Sequence, residues 1–97
     1  MSPANFDFHC HSAVSDGLLS PQELAQRAAA NGVDLWALTD HDELGGLEEA
    51  GAAAAAAGVQ FVSGVEVSIG WNGLSVHIVG LGFDPASPAL RAGLEEL

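Results

Sequence analysis

The stretch Asp7-Phe8-His9-Cys10-His11, followed shortly by Ser15-Asp16-Gly17, decides how the rest of the sequence is interpreted. Side chains of a β-strand alternate between its two faces, so a strand over residues 5–10 places His9 and His11 together and turns Cys10 the other way. Two imidazoles at the end of a strand are well placed to bind a metal ion. A lone histidine on an apolar strand is more often a hydrogen-bonded core residue, so the remaining sequence must decide between the two interpretations.

Beyond this stretch, helix patterns alternate with strand patterns. Ser20-Pro21-Gln22-Glu23 is typical of a helix start, and Asn31-Gly32 is typical of a helix end. The apolar run at 33–39 indicates a buried parallel strand, whereas Asn72-Gly73 is favoured in tight hairpins. The predicted order is β-α-β-α-β-β-α, with strands at 5–10, 33–39, 59–69 and 74–81 and helices at 20–31, 47–57 and from 84 to the end of the chain.

This alternation predicts an α/β fold in one domain, with a mostly parallel sheet and right-handed crossovers. The last two strands, joined through a predicted turn at 70–73, are expected to be antiparallel. In β/α folds the functional site lies at the carboxyl ends of the strands. Candidate functional residues are therefore sought at those ends.

Residue types that bind metals recur there. The candidate ligands there are His9, His11, Asp16, His41 and Glu66. His77 is the sixth candidate, and its placement is left open because it lies within a strand that is expected to run the opposite way. Glu66 lies between valines, where a buried carboxylate without a partner is costly. Imidazoles with carboxylates suit Zn, Mn or Fe, and the share of carboxylates favours Mn. Neighbouring divalent ions suit phosphoester hydrolysis, because they lower the pKa of a bound water, orient the phosphate and neutralise developing charge.

Simpler interpretations exist for each motif taken alone. Asp16-Gly17 fits an ordinary turn, and Asp40-His41-Asp42 fits a helix-capping loop. Cys10 faces away from the histidines and is expected to be a packing residue. Trp36 and Trp71 are also expected to pack in the core or on the surface, and not to contact a substrate.

The composition limits the classes of partner. The chain has 97 residues, of which 48% are hydrophobic, so it can bury one modest core. Thirteen acidic residues against two basic ones give a net charge of −11, which argues against a groove for duplex nucleic acid and against anionic membranes. A phosphorylated substrate is still compatible, because bound cations can supply positive charge. The single cysteine excludes an internal disulfide, and without a signal-peptide pattern we expect a cytoplasmic location.

Five short motifs then carry a resemblance that covers nearly the whole chain. They are His9-x-His11, Ser15-Asp16-Gly17, Leu38-Thr39-Asp40-His41-Asp42, Gly64-Val65-Glu66-Val67-Ser68 and Val76-His77-Ile78-Val79-Gly80. In this order they resemble the PHP (polymerase and histidinol phosphatase) superfamily. Within it they are most similar to small stand-alone phosphoesterases, which include nucleoside 3′,5′-bisphosphate phosphatases and RNase AM-type 5′→3′ exoribonucleases.

The resemblance implies a fold, a metal centre and a reaction. The fold would be a distorted, TIM-like (β/α)7 barrel, with residues 1–97 as the N-terminal portion of a single PHP domain. The site would hold two or three divalent ions, usually manganese. It would hydrolyse nucleotide phosphomonoesters, or the 5′ end of short RNA, through a metal-activated hydroxide.

The resemblance also implies roles for individual residues. His9 and His11 would bind one ion, with Glu66 as a bridging ligand. Asp16 and His41 would bind a second ion, and His77 with Glu66 would bind a third. Asp40, next to a ligand in the sequence, would orient the ligands through hydrogen bonds without binding an ion itself.

Other functions stay open. The family's later motifs, a further His and a closing Asp-x-His, have no counterpart here, so the missing part of the barrel would come from the rest of the protein or from another chain. Amidohydrolase-type deaminases and amidases also begin with His-x-His, although the Asp-Gly after the pair and Thr39-Asp40-His41-Asp42 favour a phosphoesterase. A non-catalytic, metal-binding barrel fragment is the third possibility.

Overall fold

The start of the first helix follows from local hydrogen bonds that the sequence predicts. The Ser20 hydroxyl accepts the Glu23 N–H at 3.1 Å, and the Glu23 carboxylate accepts the Ser20 N–H at 3.2 Å. This reciprocal pair satisfies two N–H groups that a helix start leaves without partners. The second helix ends at Gly58, whose φ of 78° favours a residue without a Cβ.

The computed structural model describes residues 4–95, and its element order is the predicted β-α-β-α-β-β-α. The elements are β1 (Phe6–Asp7), α1 (Pro21–Ala30), β2 (Leu35–Leu38), α2 (Leu47–Ala57), β3 (Gln60–Trp71), β4 (Leu74–Leu81) and α3 (Pro88–Glu95). The predicted bounds of α2 and β4 are confirmed. The predicted continuation of α3 over Glu96 and Leu97 lies outside the described residues.

The four strands form one mixed sheet in the order β1-β2-β3-β4. β1, β2 and β3 are parallel, so their carboxyl ends meet at one edge, and β4 returns antiparallel to β3. The α/β prediction is therefore confirmed. β1 and β4 lie at the two sides of the described sheet, as expected for part of a barrel wall.

The core lies between this sheet and the two helices α1 and α2, which pack against each other. Trp36 and Leu38 of β2 and Val65 of β3 are buried against alanines, which include Ala25 of α1 and Ala50 of α2. These small side chains let the helices approach the sheet closely, and the close fit fixes the strand ends that carry the polar residues.

The first strand is shorter than predicted. The sequence indicated a strand over 5–10, but β1 contains only Phe6 and Asp7. The Asp7 carboxylate accepts the His9 N–H at 3.2 Å, and such a local bond competes with the sheet ladder. The chain returns to β2 at Cys10, whose carbonyl accepts the Thr39 N–H at 2.9 Å. His9 and His11 thus follow the strand and do not lie within it.

Both limits of β2 and both limits of β3 differ from the prediction by one or two residues, and α3 begins at Pro88 and not at 84. The Val33 N–H donates to the Ala28 carbonyl at 3.0 Å and so closes α1, which leaves β2 to begin at Leu35. β3 extends past the predicted end to Trp71, because the hairpin turn takes only Asn72 and Gly73, at φ 49° and 76°. Both central residues at positive φ are typical of the two-residue turns that match strand twist.

Within residues 4–95, each helix is too short or too polar to cross a lipid bilayer.

Gly64 offers a test of how closely β2 and β3 approach beside the candidate site. A Cβ at Gly64 would lie 2.7 Å from the Leu38 carbonyl oxygen and 2.7 Å from the Thr39 methyl, whereas at Gly70 of the same strand it would meet nothing within 4 Å. We expect Gly64→Ala to lower the free energy of unfolding by about 1–3 kcal/mol through overpacking, and Gly70→Ala to leave it nearly unchanged. Urea unfolding of both variants measures this, and equal midpoints would contradict the packing described here.

Candidate metal centre

The candidate centre is built around the carboxylate of Glu66 in β3. Only 7% of this side chain is exposed, although the residue lies where the carboxyl ends of the parallel strands meet. A single parallel bridge pairs Glu66 with His41 just beyond the end of β2. The segment after β1 brings His9 and His11 to the same place. The parallel arrangement of the strands therefore delivers these four side chains to one edge.

Both oxygens of Glu66 face imidazole nitrogens. Oε1 lies 2.5 Å from Nε2 of His9 and 2.9 Å from Nε2 of His11. Oε2 lies 2.8 Å from Nδ1 of His77 and 3.5 Å from Nδ1 of His41. One buried carboxylate thus contacts all four histidines of the chain.

Asp16 supplies a second carboxylate. Its two oxygens lie 3.0 Å from Nδ1 of His11 and 3.2 Å from Nε2 of His41. The structure therefore brings together all six residues that the sequence singled out. It differs from the implied assignment in one respect, because His11 and His41 each lie between the two carboxylates and are not paired with one alone.

His77 reaches the centre from the opposite direction. The antiparallel ladder pairs it with Ser68, two residues beyond Glu66 on the same face of β3. A mid-strand histidine on a returning strand can therefore stand beside a residue at the end of a parallel one. The sequence left the direction of His77 open, and the register of the hairpin decides it.

The histidines control the charge of Glu66. Burial alone would raise its pKa, but hydrogen bonds from His77, His9 and His11, together with the charge of His41, outweigh burial and lower the pKa to about 2. The carboxylate therefore stays ionised wherever the protein is folded at ordinary pH. An ionised carboxylate with both oxygens available is a strong ligand for divalent cations.

The donor atoms fit metal ions in number, type and spacing. They form three groups, in each of which the atoms lie within 4.8 Å of one another. The groups are His9, His11 and Glu66; His11, Asp16 and His41; and His41, Glu66 and His77. Because each metal–ligand bond is about 2 Å long, donors on one ion stand about 3–4 Å apart. The arrangement therefore indicates a site for divalent metal ions.

Asp40 acts on the loop after β1. It is 1% exposed, and its oxygens accept the Ser12 N–H at 2.6 Å, the Ser12 hydroxyl at 2.7 Å and the Ser15 hydroxyl at 2.7 Å. These bonds hold the loop that carries Asp16. The resemblance implied that Asp40 would orient the ligands without binding an ion itself. In the structure Asp40 contacts Ser12 and Ser15, which belong to the loop that carries the ligand candidate Asp16.

Ser12 and Ser15 had no predicted role of their own. The signal for Ser12 was its position just after His-x-His, and Ser15 belonged to the Ser15-Asp16-Gly17 motif. Gly17 has a related part in the same loop. A Cβ there would come within 2.1 Å of the His11 carbonyl oxygen, so the loop closes tightly only with glycine. The loop beside Asp16 is therefore fixed by buried polar contacts and by one close backbone approach.

Cys10 and the tryptophans take no part in the centre. Burial raises the pKa of the Cys10 thiol to about 11, and the thiol accepts the Trp36 indole N–H at 3.1 Å. Trp36 itself is buried in the core. Both are packing residues, as expected. Trp71 lies at the tip of the β3–β4 hairpin and is mostly exposed. Its side chain and that of Glu66 point to different faces of β3.

The sequence profile of one family, the PHP domain, matches residues 7–84 of this chain. The chain belongs to the PHP family. All six candidate ligands and Asp40 lie within the matched region, which agrees with the resemblance carried by the five motifs.

Relatives share this part of the PHP fold. A 3′,5′-nucleoside bisphosphate phosphatase from Chromobacterium violaceum is 60% identical over 97% of this chain, and a 5′-3′ exoribonuclease from Haemophilus influenzae is 50% identical over 93%. The match covers 33% of each relative, so the chain spans about a third of their length.

Solved structures agree with this comparison. A structure from Chromobacterium violaceum, described as an amidohydrolase with bound sulfate and no metal, superimposes with a TM-score of 0.92 at 60% identity. One from Bifidobacterium adolescentis, described as a metal-dependent phosphoesterase, gives 0.87 at 29% identity. They match 96% and 97% of this chain and 33% of each solved chain.

The buried carboxylate of Asp40 is expected to control both stability and metal binding. Asp40→Asn replaces one of the two accepting oxygens by an NH2 donor and removes the charge that strengthens the remaining bonds, so we expect a loss of about 1–3 kcal/mol in the free energy of unfolding. Metal affinity should fall by about 10–100-fold as the Asp16 loop loosens. Urea unfolding and metal titration measure the two effects. Asp34→Asn, at an exposed aspartate far from the loop, is the control, and an equal response of both variants would refute the role given to Asp40.

The low pKa of Glu66 predicts acid sensitivity. A carboxylate whose pKa is lower in the folded than in the unfolded chain stabilises the fold above its ordinary pKa, and this contribution disappears as the pH falls towards 2. In metal-free protein we expect the unfolding midpoint to drop between about pH 5 and pH 2. Glu66→Gln should lack this component, and Glu48→Gln, at an exposed helix position, should keep it. A Glu66→Gln profile parallel to the wild type would show that the carboxylate is not stabilised in this way.

Proposed function

We propose that the protein containing this chain is a metal-dependent phosphoesterase of the PHP type. One observation carries the proposal: the buried Glu66 carboxylate contacts imidazoles from three separate segments of the chain at the carboxyl edge of the sheet. An acidic group surrounded by four histidines has little structural purpose in so small a core. It is well suited to binding several cations side by side.

The residues would share two or three divalent ions. The ligands we infer are His9, His11, Asp16, His41, Glu66 and His77. Imidazoles with two carboxylates, and without thiolates, support Mn, with Zn or Fe as substitutes. Such ions would supply a Lewis acid for the phosphoryl oxygens and would lower the pKa of a water molecule.

The chain itself would bind the ions, hold them together and leave room for a substrate. His9 is 60% exposed and Asp16 is 62% exposed, so two sides of the centre are open to solvent while Glu66 is covered. Asp40 would fix the position of Asp16 through the serine loop. Because the chain carries a net charge of −11, a phosphate ester would approach this edge only when cations are bound.

The substrate we propose is a nucleotide phosphomonoester, such as a nucleoside 3′,5′-bisphosphate, or the 5′ end of a short RNA. The relatives support this choice, since one is named a nucleoside bisphosphate phosphatase and another a 5′-3′ exoribonuclease. The shortage of basic residues supports recognition of a single phosphorylated end over a long duplex. We place the protein in the cytoplasm, in keeping with a lone thiol that is partly buried against the core.

Residues 1–97 would be the N-terminal portion of a single PHP domain. Support comes from the relatives, of which this sequence matches about a third, and from β1 and β4 at the two sides of the sheet. The remaining barrel strands, from the rest of the protein or from another chain, would cover these sides and contribute further ligands.

An amidohydrolase-type reaction is the second candidate. It is favoured by the description of the 60% identical solved structure as an amidohydrolase, and a metal-activated water would serve either chemistry. Phosphate release from a nucleoside bisphosphate, measured beside deamination and amide hydrolysis under the same conditions, distinguishes the two.

Metal content is the first test of the proposal. We expect elemental analysis of the full-length protein that contains residues 1–97 to find two or three divalent ions per chain. Glu66→Gln should reduce metal affinity by at least about tenfold, because it removes the carboxylate that all four histidines share. Glu48→Gln is the matched control on an exposed helix surface. Folded protein that binds no Mn, Zn or Fe would refute the proposal, and bound metal without hydrolysis of phosphate esters would favour a non-catalytic metal-binding module.

A further inference from the structure

The hydrogen-bond ladder between β2 and β3 ends beside the proposed metal centre, and its last bond goes to a side chain in place of the main chain. Regular pairing runs from Leu35 to Leu38, and a single parallel bridge follows between His41 and Glu66. In this bridge the Glu66 N–H donates to the Asp40 carbonyl at 3.0 Å, and the Asp42 N–H donates to the Glu66 carbonyl at 2.9 Å. The next bond of a parallel ladder would run from the Ser68 N–H to the main-chain carbonyl of Asp42.

That bond is replaced by one to a side chain. Asp42 has a φ of 52°, a left-handed conformation that turns the chain away from the sheet towards α2. The Ser68 N–H instead donates to Oδ1 of Asp42 at 2.8 Å. Aspartate and asparagine are the side chains that most readily combine this backbone conformation with a local hydrogen bond.

The replaced bond lies at the step of β3 that holds the fourth histidine. Ser68 is the partner of His77 in the antiparallel ladder, and Nδ1 of His77 lies 2.8 Å from Oε2 of Glu66. Without a partner for its N–H, β3 would be free to bend just beyond Glu66. A bend there changes the distance between Glu66 and His77.

We propose that Asp42 is a positioning residue, whose side-chain oxygen replaces a ladder carbonyl and so keeps Glu66 and His77 in register for metal binding. The proposal rests on the proposed metal centre. It assigns Asp42 no contact with an ion and no contact with a substrate. What it requires of residue 42 is an acceptor oxygen and tolerance of positive φ, and not a negative charge.

Two substitutions separate these requirements. Asp42→Asn keeps the acceptor oxygen and the tolerance of positive φ but removes the charge, whereas Asp42→Gly keeps only the tolerance of positive φ. Ala54→Gly, a destabilising change in the buried face of α2 away from the centre, controls for a general loss of stability. The readouts are amide hydrogen exchange at Ser68, the imidazole ¹⁵N signals of His77, and titration with Co²⁺ followed by its visible absorption bands.

The expected pattern is a defect in Asp42→Gly alone. The Ser68 amide should exchange about tenfold faster in Asp42→Gly, as one hydrogen bond is lost. Its Co²⁺ affinity should fall by about 10–100-fold, with altered absorption bands. Asp42→Asn and Ala54→Gly should retain the wild-type Co²⁺ affinity and bands.

Three results would overturn the proposal. Wild-type behaviour of Asp42→Gly would mean that Asp42 only makes the turn, and a Co²⁺ defect in Asp42→Asn would mean that its charge or direct ligation matters. An equal Co²⁺ defect in Ala54→Gly would reduce the effect to stability. If the wild-type protein binds no Co²⁺, the proposed function fails. The Asp42 proposal is then tested separately by Asp42→Gly: if the Ser68 amide still exchanges slowly and the His77 signals are unchanged, the Asp42 proposal is refuted.

Discussion

The arrangement of this chain depends on one buried carboxylate that must be balanced by imidazoles. Glu66 is buried in β3, an inner strand of the sheet, where an unpaired charge would be strongly unfavourable. Imidazoles reach it from the segment after β1, from the segment after β2 and from the middle of the returning strand β4. The convergence on this one carboxylate is what joins three separate segments of the chain at the candidate centre.

A second layer of carboxylate chemistry supports the first. Asp40 and Asp42 flank His41, yet their oxygens accept hydrogen bonds from the loop after β1 and from β3. One aspartate therefore fixes the loop that carries Asp16, and the other fixes the strand that carries Glu66. Residues 40–42 thus connect the loop after β1 to β3. Within this segment, only the central residue, His41, contacts Asp16.

Sequence reasoning identified the six residues that the structure brings together because they are chemically conspicuous and, apart from His77, occur at or after strand ends. It also obtained the element order, since the Ser20 capping box, the Gly58 cap and the Asn72-Gly73 turn are local signals. The end of β1 at Asp7 depends on a competing side-chain bond, and alternation alone cannot reveal it. The roles of Ser12 and Ser15 depend on a buried partner 25 or more residues away. His11 and His41 lie between two carboxylates, and such sharing is a property of three-dimensional spacing that motif order does not encode.

The hairpin that supplies His77 has a consequence for how this region can vary in length. Its two strands are fixed by a two-residue turn, and successive side chains point to opposite faces. Adding one residue to each arm lengthens the hairpin and leaves His77 facing Glu66. Adding one residue to a single arm turns His77 to the other face unless a bulge absorbs it. Insertions and deletions between Glu66 and His77 are therefore expected to be tolerated in even numbers.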